Sequence, residues 1–287
     1  MSVEIRPLST LEEFRACEDL QRRTWRMPDD LDVVPLHFLL SAQRCGAVVL
    51  GAFDGDVLAG FVFGYPGFGP EGKLKHCSHM MGVAPEYQSE GVGYELKLAQ
   101  REVALAQGFD LMTWTYDPLE SRNANLNIRK LGAVCRTYIP DFYGPMADGL
   151  NVGLPSDRFQ VDWWIASSRA KPRAAWASVR GAHSEELGTR WTGSTVLANA
   201  VGCSGEGPVT PGAMILDAAV PAVQVEIPAD YQAIKSQDPE LALEWRLATR
   251  RVFQFYFDAG FEVVDFVSQP VERGRRSSYL LTNRLQE

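Results

Sequence analysis

Short apolar runs alternate with amphipathic stretches along the first 168 residues, and this pattern predicts an α/β fold. Apolar residues that recur every three to four positions predict helices, whereas short apolar runs bounded by Gly, Pro, Asn or Asp predict strands. The predicted strands are Val3–Pro7, Ala47–Phe53, Val57–Tyr65, Leu74–Val83, Asp110–Tyr116, Ala133–Ile139 and Phe159–Ser167. The predicted helices run from about Ser9 to Arg23, Pro35 to Gln43, Gly91 to Gln107 and Leu119 to Leu131. The resulting order, β-α-α-β-β-β-α-β-α-β-β, favours a mixed central sheet flanked by helices.

Residues 169–287 give a smaller α+β pattern. The predicted elements are a linker over 168–172, a helix over 173–190, a strand over Val223–Ile227, an amphipathic helix over Glu240–Phe257, and paired strands over Phe261–Ser268 and Ser277–Asn283. Residues 202–212 are rich in Gly and Pro. We therefore predict two domains, 1–168 and 169–287, with the second packed on the first because its long helix has a broad apolar face.

An order of elements occurs twice in the chain. Residues 119–167 and 240–283 both follow the order helix, glycine, strand, loop, strand. Two interpretations remain: a degenerate half copy of the first domain, or chance similarity between α+β segments.

The composition narrows the class of protein. The chain has 287 residues, of which 46% are hydrophobic and 22% charged, as in ordinary globular proteins. A net charge of −8 disfavours nucleic acid as a partner. The N-terminus lacks the pattern of a secretory leader, and no apolar run is long enough to span a membrane. Five cysteines, none of them close in sequence, favour free thiols in the cytoplasm.

A glycine-rich segment, Gln88-Ser89-Glu90-Gly91-Val92-Gly93, connects a predicted strand to a predicted helix. Glycines allow a tight turn and close approach of backbone to a ligand. The helix N-terminus offers unpaired N–H groups to an anion such as a pyrophosphate. The segment matches neither the dinucleotide-binding pattern nor the Walker loop, and a tight turn without a ligand is the alternative.

Gln-x-x-Gly-x-Gly, with Val83-Ala84-Pro85 upstream, resembles motif A of the GCN5-related N-acetyltransferase (GNAT) superfamily. Ser121–Gly132 is similar to the motif B helix of that family, with Ala124 and Gly132 at matching positions. The resemblance covers about residues 3–168, and it extends to a branch of GNAT acyltransferases that carry a C-terminal extension. The strings that resemble this branch are Ser78–Val83, Trp114–Leu119, Asn123–Asn127 and Ser156–Phe159.

The resemblance implies a GNAT fold that binds acetyl-CoA or another acyl-CoA. In the family, the strand before the loop pairs with pantetheine and the loop amides hold the pyrophosphate. The cofactor-binding residues implied here are Met81, Gly82, Val83, Gln88, Ser89, Glu90, Gly91, Val92, Gly93, Tyr94 and Asn125. Glu90 departs from the pattern, because an acid beside phosphates is unfavourable unless it points away. Lys97, one turn along, either offsets that charge or lies solvated on the helix surface.

The family's frequent general acid, a tyrosine in motif B, falls on Ile128. Ile cannot protonate a thiolate, so Tyr116 and Tyr138 are the catalytic candidates for that step, with Tyr143 as a further one. His79 is the candidate base, because its pKa is ordinarily near neutral and it lies on the strand that lines the family's cleft. Strict alternation would place His79 on one face with Met81 and Val83. For each of these residues, a packing role is the alternative.

Three arginines are candidates for binding an acidic group of the substrate, since a guanidinium can grip a carboxylate with two hydrogen bonds. They are Arg158, Arg246 and Arg250. The alternative for Arg158 is a structural ion pair with Asp157 or Asp162, and the alternative for Arg246 and Arg250 is solvated helix surface. His76, Cys77 and His79 are the only clustered ligand types, and we expect no metal.

Two functions therefore compete. The first is an acyl-CoA-dependent N-acyltransferase that transfers an acetyl or larger acyl group, such as succinyl, to the amine of a small metabolite such as an amino acid. The alternative is a catalytically weak or inactive GNAT-fold module that binds CoA or a metabolite. Neither requires a nucleic acid or a membrane, and both allow a homodimer.

Overall fold

The computed structural model describes residues 3–69, 72–144, 153–170, 194–202, 209–272 and 274–283. The strands in these ranges are β1 Glu4–Pro7, β2 Val48–Asp54, β3 Val57–Phe68, β4 Leu74–Val83, β5 Leu111–Tyr116, β6 Val134–Ile139, β7 Arg158–Trp164, β8 Val196–Gly202, β9 Thr210–Met214, β10 Ala222–Ile227, β11 Glu262–Pro270 and β12 Arg275–Thr282. The α-helices are α1 Leu11–Trp25, α2 Leu36–Arg44, α3 Val92–Ala106, α4 Ser121–Ala124, α5 Tyr231–Gln237 and α6 Pro239–Asp258. A π-helical turn, Asn125–Lys130, continues α4.

The predicted α/β class and the predicted order of elements through β7 are confirmed. No element was predicted for the Gly- and Pro-rich residues 202–212, of which Gly202 ends β8 and Thr210 begins β9. Neither β8, β9 nor α5 was predicted, since their sequences are short and carry Gly, Pro or polar residues in place of an apolar period. The helix predicted over 173–190 lies outside the described residues.

Contacts divide the chain into two compact units. The first unit comprises Met1–Trp114, Ala147–Val152 and Trp163–Ala177, and the second comprises Thr115–Met146, Gly153–Asp162 and Ser178–Glu287. Residues 115–146 and 153–162 therefore group with the C-terminal part. This grouping does not test whether 1–168 folds by itself, so the boundary at 168 stays a prediction.

In the first unit, the strand order is β1-β2-β3-β4-β5. Neighbours are antiparallel except β4 and β5, which are parallel. Helices α1 and α2 cover one face of this sheet, where Phe14, Leu39 and Phe63 are buried. Helix α3 covers the other face through Val92 and Leu96. Both faces are thus buried, and this fixes which side chains of β4 point toward α3.

In the second unit, the strand order is β7-β6-β11-β12-β10-β8-β9. The repeated order of elements is present here. Helix α4 with its π turn leads through Gly132 to β6 and β7, and α6 leads through Gly260 to β11 and β12. Both glycines have positive φ angles, 81° and 84°, and end their helices as left-handed C-terminal residues. The two segments adjoin through β6 and β11, which are antiparallel.

The core of the second unit forms around α6. The Phe253 ring lies 4.7 Å from the Phe159 ring and 5.4 Å from the Tyr279 ring, measured between centroids. Tyr116 packs edge-on against the same Phe159 ring at 5.9 Å. All four side chains are buried. Residues from β5, β7, α6 and β12 therefore share one aromatic cluster.

A chain that ends at Ser168 would lack α6, β11 and β12, and would expose Phe159 and Tyr116 to water. We expect such a chain to be insoluble or to lack fixed tertiary packing, measured by soluble yield and near-ultraviolet circular dichroism. A soluble chain with cooperative thermal unfolding would contradict this account of the core.

Two substitutions on α6 of the full-length chain test the same account of the core. Phe253→Ala should lower the free energy of unfolding by about 3–5 kcal/mol, because it empties the centre of the aromatic cluster. Leu247→Ala, at a position that is 47% exposed, should change the same quantity by only about 0.5 kcal/mol.

Candidate active site

The glycine-rich segment connects β4 to α3, as predicted. After β4 ends at Val83, a single 3-10 turn covers Pro85–Tyr87, and α3 begins at Val92. Ser89 and Gly91 have φ angles of 70° and 90°, in the left-handed region. A Cβ at Gly91 would meet no atom within 4 Å, so open space faces this position. The loop therefore presents its backbone without a side chain in front of it.

The N-terminus of α3 is suited to an anion. Gly91 is its N-cap residue and provides no side-chain hydrogen bond to the first turn. The first N–H groups of a helix have no intrahelical partner, and the helix dipole is positive at this end. The Gln88 side chain donates a hydrogen bond to the Val83 carbonyl over 3.2 Å, which ties the loop to the end of β4. Glu90 is exposed.

β4 and β5 pair over a short length and then separate. The only paired positions are His76 with Met112 and Cys77 with Thr113. From Ser78 to Val83, β4 pairs with β3 alone. Three implied cofactor-binding residues, Met81, Gly82 and Val83, lie on this part of β4, directly before the loop. We call the space beyond the last pair the β4–β5 gap.

The prediction that His79 shares a face with Met81 and Val83 is wrong. The pairing of β3 with β4 shifts between Phe63 and Gly64, so that His79 is an extra residue in β4. This β-bulge breaks the alternation of side chains. Met81 and Val83 pack on the α3 side, whereas the His79 ring contacts the Phe63 ring, which belongs to the opposite face.

His79 nevertheless remains accessible to solvent. Its ring lies 5.8 Å from the rings of Phe63 and Tyr65. Desolvation by these neighbours lowers the pKa of His79 below its usual value, which keeps the imidazole neutral at pH 7. A neutral imidazole can accept a proton.

Lys97 is buried rather than solvated, with 3% of its surface exposed. Its ammonium donates to the Ser78 hydroxyl over 2.6 Å, and Ser78 donates to the Gln100 side-chain oxygen over 2.8 Å. The Gln100 amide then lies 3.1 Å from His76 Nε2. Burial lowers the pKa of Lys97 to about 7. Burial, together with the Lys97 charge, lowers the pKa of His76 to about 4.

Tyr116 and Tyr138 are both buried phenols with hydrogen-bond partners. Tyr116 lies 3.2 Å from the hydroxyl of Tyr279, which donates to the Pro118 carbonyl. Tyr138 donates to Asp157 over 2.5 Å. Burial raises the pKa of both phenols well above the usual value. Tyr143, by contrast, is 50% exposed.

The three candidate arginines all bind aspartates of the second unit. Arg246, which is 2% exposed, makes two hydrogen bonds of 2.7 and 2.5 Å to Asp117. Arg158 lies 4.0 Å from the same carboxylate. Arg250 holds Asp157 with two hydrogen bonds of 2.8 and 2.6 Å. The alternative of solvated surface is therefore wrong for Arg246 and Arg250, which form ion pairs, and the alternative of a structural ion pair describes the contact of Arg158 with Asp117.

Asp117 was not singled out from the sequence. Burial alone would raise the pKa of Asp117, but the Arg246 guanidinium more than offsets this and holds the pKa below its usual range. An acid directly after a buried strand was the available signal, since such an acid needs a cationic partner.

Asn125 lies in the second unit, at the start of the π turn. It lines a pocket of about 260 Å³ together with Ser121, Arg122, Ala229, Ser268 and Arg275. Its role in binding a cofactor stays a prediction. Ile128, at the position of the family's tyrosine, is fully buried.

Within the described ranges, His, Cys, Asp and Glu form no group of three or more that could hold a metal. His76 and His79 point to opposite faces of the sheet, which separates the ligand types that are adjacent in sequence. Cys17, Cys45, Cys77 and Cys135 are free thiols, and Cys203 lies outside the described residues. No helix in the described part of the chain is long and apolar enough to cross a membrane.

The buried Lys97 makes stability depend on pH in a defined direction. Above pH about 7 the folded state holds a neutral Lys97, whereas the unfolded chain keeps this residue protonated up to pH about 10.4. The unfolded state then binds more protons, so the free energy of unfolding rises with pH in this window, by up to about 1.4 kcal/mol per pH unit. Lys97→Met should remove that contribution and stabilise the protein at pH 6.5.

The measurement is urea unfolding at pH 6.5, 7.5 and 8.5. The difference in unfolding free energy between Lys97→Met and the unchanged chain should decrease as the pH rises. Lys73→Met, at an exposed position, is the control and should keep the pH slope of the unchanged chain. Parallel slopes for the Lys97 variant and the unchanged chain would show that Lys97 titrates normally.

No family model matches this chain, and no curated protein matches it. Solved structures that match include the ribosomal-protein-S18-alanine N-acetyltransferase of Escherichia coli, with 15% identity over 58% of this chain and 96% of that one, and a TM-score of 0.45. An N-acetyltransferase of Staphylococcus aureus matches with 13% identity, 57% and 99% coverage and a TM-score of 0.47. A GNAT-family protein of Desulfovibrio desulfuricans matches with 17% identity, 57% and 100% coverage and a TM-score of 0.46. These likenesses are too distant to assign a family or an activity to this chain.

Proposed function

We propose that this chain is an acyl-CoA-dependent N-acyltransferase of the GNAT type. The observation that carries the proposal is the β4–β5 gap, which runs directly into the glycine-rich loop and the N-terminus of α3. An unpaired strand edge offers backbone N–H and C=O groups to an amide-containing chain, as in strand addition. The pantetheine arm of CoA contains such amides, and its pyrophosphate is the anion for the loop.

The assignment of residues follows from this placement. Residues 79–83 of β4 bind the pantetheine arm, and the loop from Gln88 to Gly93, with Tyr94, holds the pyrophosphate. Glu90 is exposed and can point away from the phosphates. The resemblance of this segment to motif A supports the same assignment independently of the geometry.

The reaction needs a neutral amine that attacks the thioester carbonyl carbon. A C–N bond forms, the C–S bond breaks, the nitrogen loses a proton and the departing thiolate gains one. His79 is the proposed base, because it is solvent-accessible and its lowered pKa keeps it neutral at pH 7. Because Tyr116 and Tyr138 are committed to protein acceptors, the Tyr143 hydroxyl or water fits better as the source of the thiolate's proton.

The proposed acceptor is the amine of a small metabolite, such as an amino acid, in the cytoplasm. Both terminal nitrogens of the buried Arg246 guanidinium are bonded to Asp117, and this weakens its case as an acceptor ligand. Arg250 retains 24% of its side-chain surface exposed and is the better candidate among the three arginines.

One observation favours the alternative of a binding module without turnover. A buried isoleucine occupies the position of the family's general acid, and two of the substitute tyrosines are buried in hydrogen bonds. Thiol release from acetyl-CoA and succinyl-CoA, measured over a panel of amines, separates the two functions. Thiol release that depends on an amine supports the enzyme, whereas CoA binding without release supports the module.

Gly91→Asp should abolish CoA binding, because it places a carboxylate in the open space that faces the loop amides. Gly108→Asp is a matched control at the opposite end of the same helix. Gly108 has a similar φ of 85°, and a Cβ there would also meet no atom within 4 Å. Both variants carry the same backbone strain, so calorimetric titration with CoA isolates the effect of the site.

We expect no measurable CoA binding for Gly91→Asp and near-normal affinity for Gly108→Asp. Equal affinity in both folded variants would place the pyrophosphate elsewhere and contradict the proposed site.

His79→Ala should lower kcat by about 10²-fold or more, the usual scale for loss of a general base. Because the neutral imidazole is the active form and its pKa is lowered, the rate should fall only at pH below about 6.5, the usual histidine pKa. That acid limb should disappear in the variant. His37→Ala, at an exposed position on α2, is the control, and an unchanged pH profile in His79→Ala would assign the proton transfer to water or another residue.

A further inference from the structure

The first unit buries a cation at the closed end of the β4–β5 gap. The last residue pair between the strands is Cys77 with Thr113. Ser78 and Trp114 are the next residues on each strand. The Lys97 ammonium contacts both of them, with 2.6 Å to the Ser78 hydroxyl and 3.9 Å to the centroid of the Trp114 ring. Lys97 therefore occupies the point where the two strands diverge.

This ammonium has no carboxylate partner among the described residues, whereas two deeply buried arginines of the second unit each have one. Arg246 is paired with Asp117 and Arg129 with Asp265. An isolated buried charge is costly, and proteins either neutralise it or provide a counter-charge. A ligand that brings an anion to this point would provide the counter-charge.

The direction of the gap decides which part of a ligand arrives there. The loop that faces the pyrophosphate follows Val83, at the open end of the gap, and Ser78 lies at the closed end. If the pantetheine arm runs along β4 from the loop, the acyl group at its far end points toward Ser78, Trp114 and Lys97. This step rests on the proposed function.

We propose that Lys97 selects acyl groups that end in a carboxylate, of the succinyl class. The acyl carboxylate would replace the Ser78 hydroxyl as the acceptor of a hydrogen bond from the Lys97 ammonium. The Ser78 hydroxyl could then rotate and donate a hydrogen bond to the same carboxylate. The Trp114 ring, packed edge-on against Trp163 at 6.0 Å, supplies an apolar wall for the methylene groups. An acetyl group has no anion to offer and would leave the ammonium without a counter-charge.

Calorimetric titration of the full-length protein with succinyl-CoA and acetyl-CoA tests this inference. Succinyl-CoA should bind at least tenfold more tightly than acetyl-CoA. Lys97→Met should remove that preference by weakening the binding of succinyl-CoA. Lys97→Arg, which keeps the charge, should retain part of the preference. Lys73→Met, at an exposed position, should behave as the unchanged chain, and thermal unfolding verifies that each variant is folded.

The pH dependence gives a second readout. Succinyl-CoA affinity should fall as the pH rises from 6.5 to 8.5, because only the protonated amine pairs with a carboxylate, and acetyl-CoA affinity should change less. The groups that face Lys97 from α3, β4 and β5 are Gln100, Ser78 and Trp114, with His76 beyond Gln100. Among these, His76 titrates near pH 4, below the range measured.

The outcomes separate the two proposals. If neither acyl-CoA binds, the proposed function fails. If both bind with equal affinity, and Lys97→Met changes neither, the gap holds an acyl-CoA but Lys97 does not select its acyl group, and the inference is overturned.

Discussion

The separation of β4 from β5 after only two residue pairs is the constraint on which the candidate site depends. Parallel strands ordinarily satisfy each other's backbone groups along their length, and a buried N–H or C=O without a partner is costly. Here β4 continues from Ser78 to Val83 with a strand partner only on its β3 side. The unpaired edge is maintained because α3 and β3 hold β4 in place through Leu96, Val62 and Met81. This unpaired edge is the part of β4 that the proposed function assigns to the pantetheine arm.

The parallel pair in the second unit shows the alternative arrangement. β8 and β10 are paired at three successive positions from Val223 to Val225. Asn199 reinforces this pairing by exchanging two hydrogen bonds with the Glu226 backbone, at 2.9 and 2.8 Å. β8 and β10 are therefore paired at three positions, whereas β4 and β5 are paired at two.

The sequence predicted what depends on local pattern. Strand and helix order followed from apolar spacing, and the left-handed positions followed from glycines such as Gly91 and Gly132. Features that depend on three-dimensional neighbours were missed. The bulge at His79 arises from its pairing with β3, which no alternation of side chains reveals. The burial of Lys97 depends on the packing of α3 on β4, because a lysine on an amphipathic helix is more often solvated. The partners of Arg246 and Arg250 are distant in sequence, so the alternative considered for these two arginines was solvated surface and their ion pairs were missed.

Amide hydrogen exchange with and without CoA tests the central claim most directly, because it reports on backbone groups rather than on side chains. The account predicts that CoA slows exchange in residues 79–83 and 91–94, where the strand edge and the loop amides gain partners. It predicts no change in β8, residues 196–202, which lies outside the proposed site and pairs with both β10 and β9. CoA binding that leaves residues 79–83 and 91–94 unprotected would contradict the account.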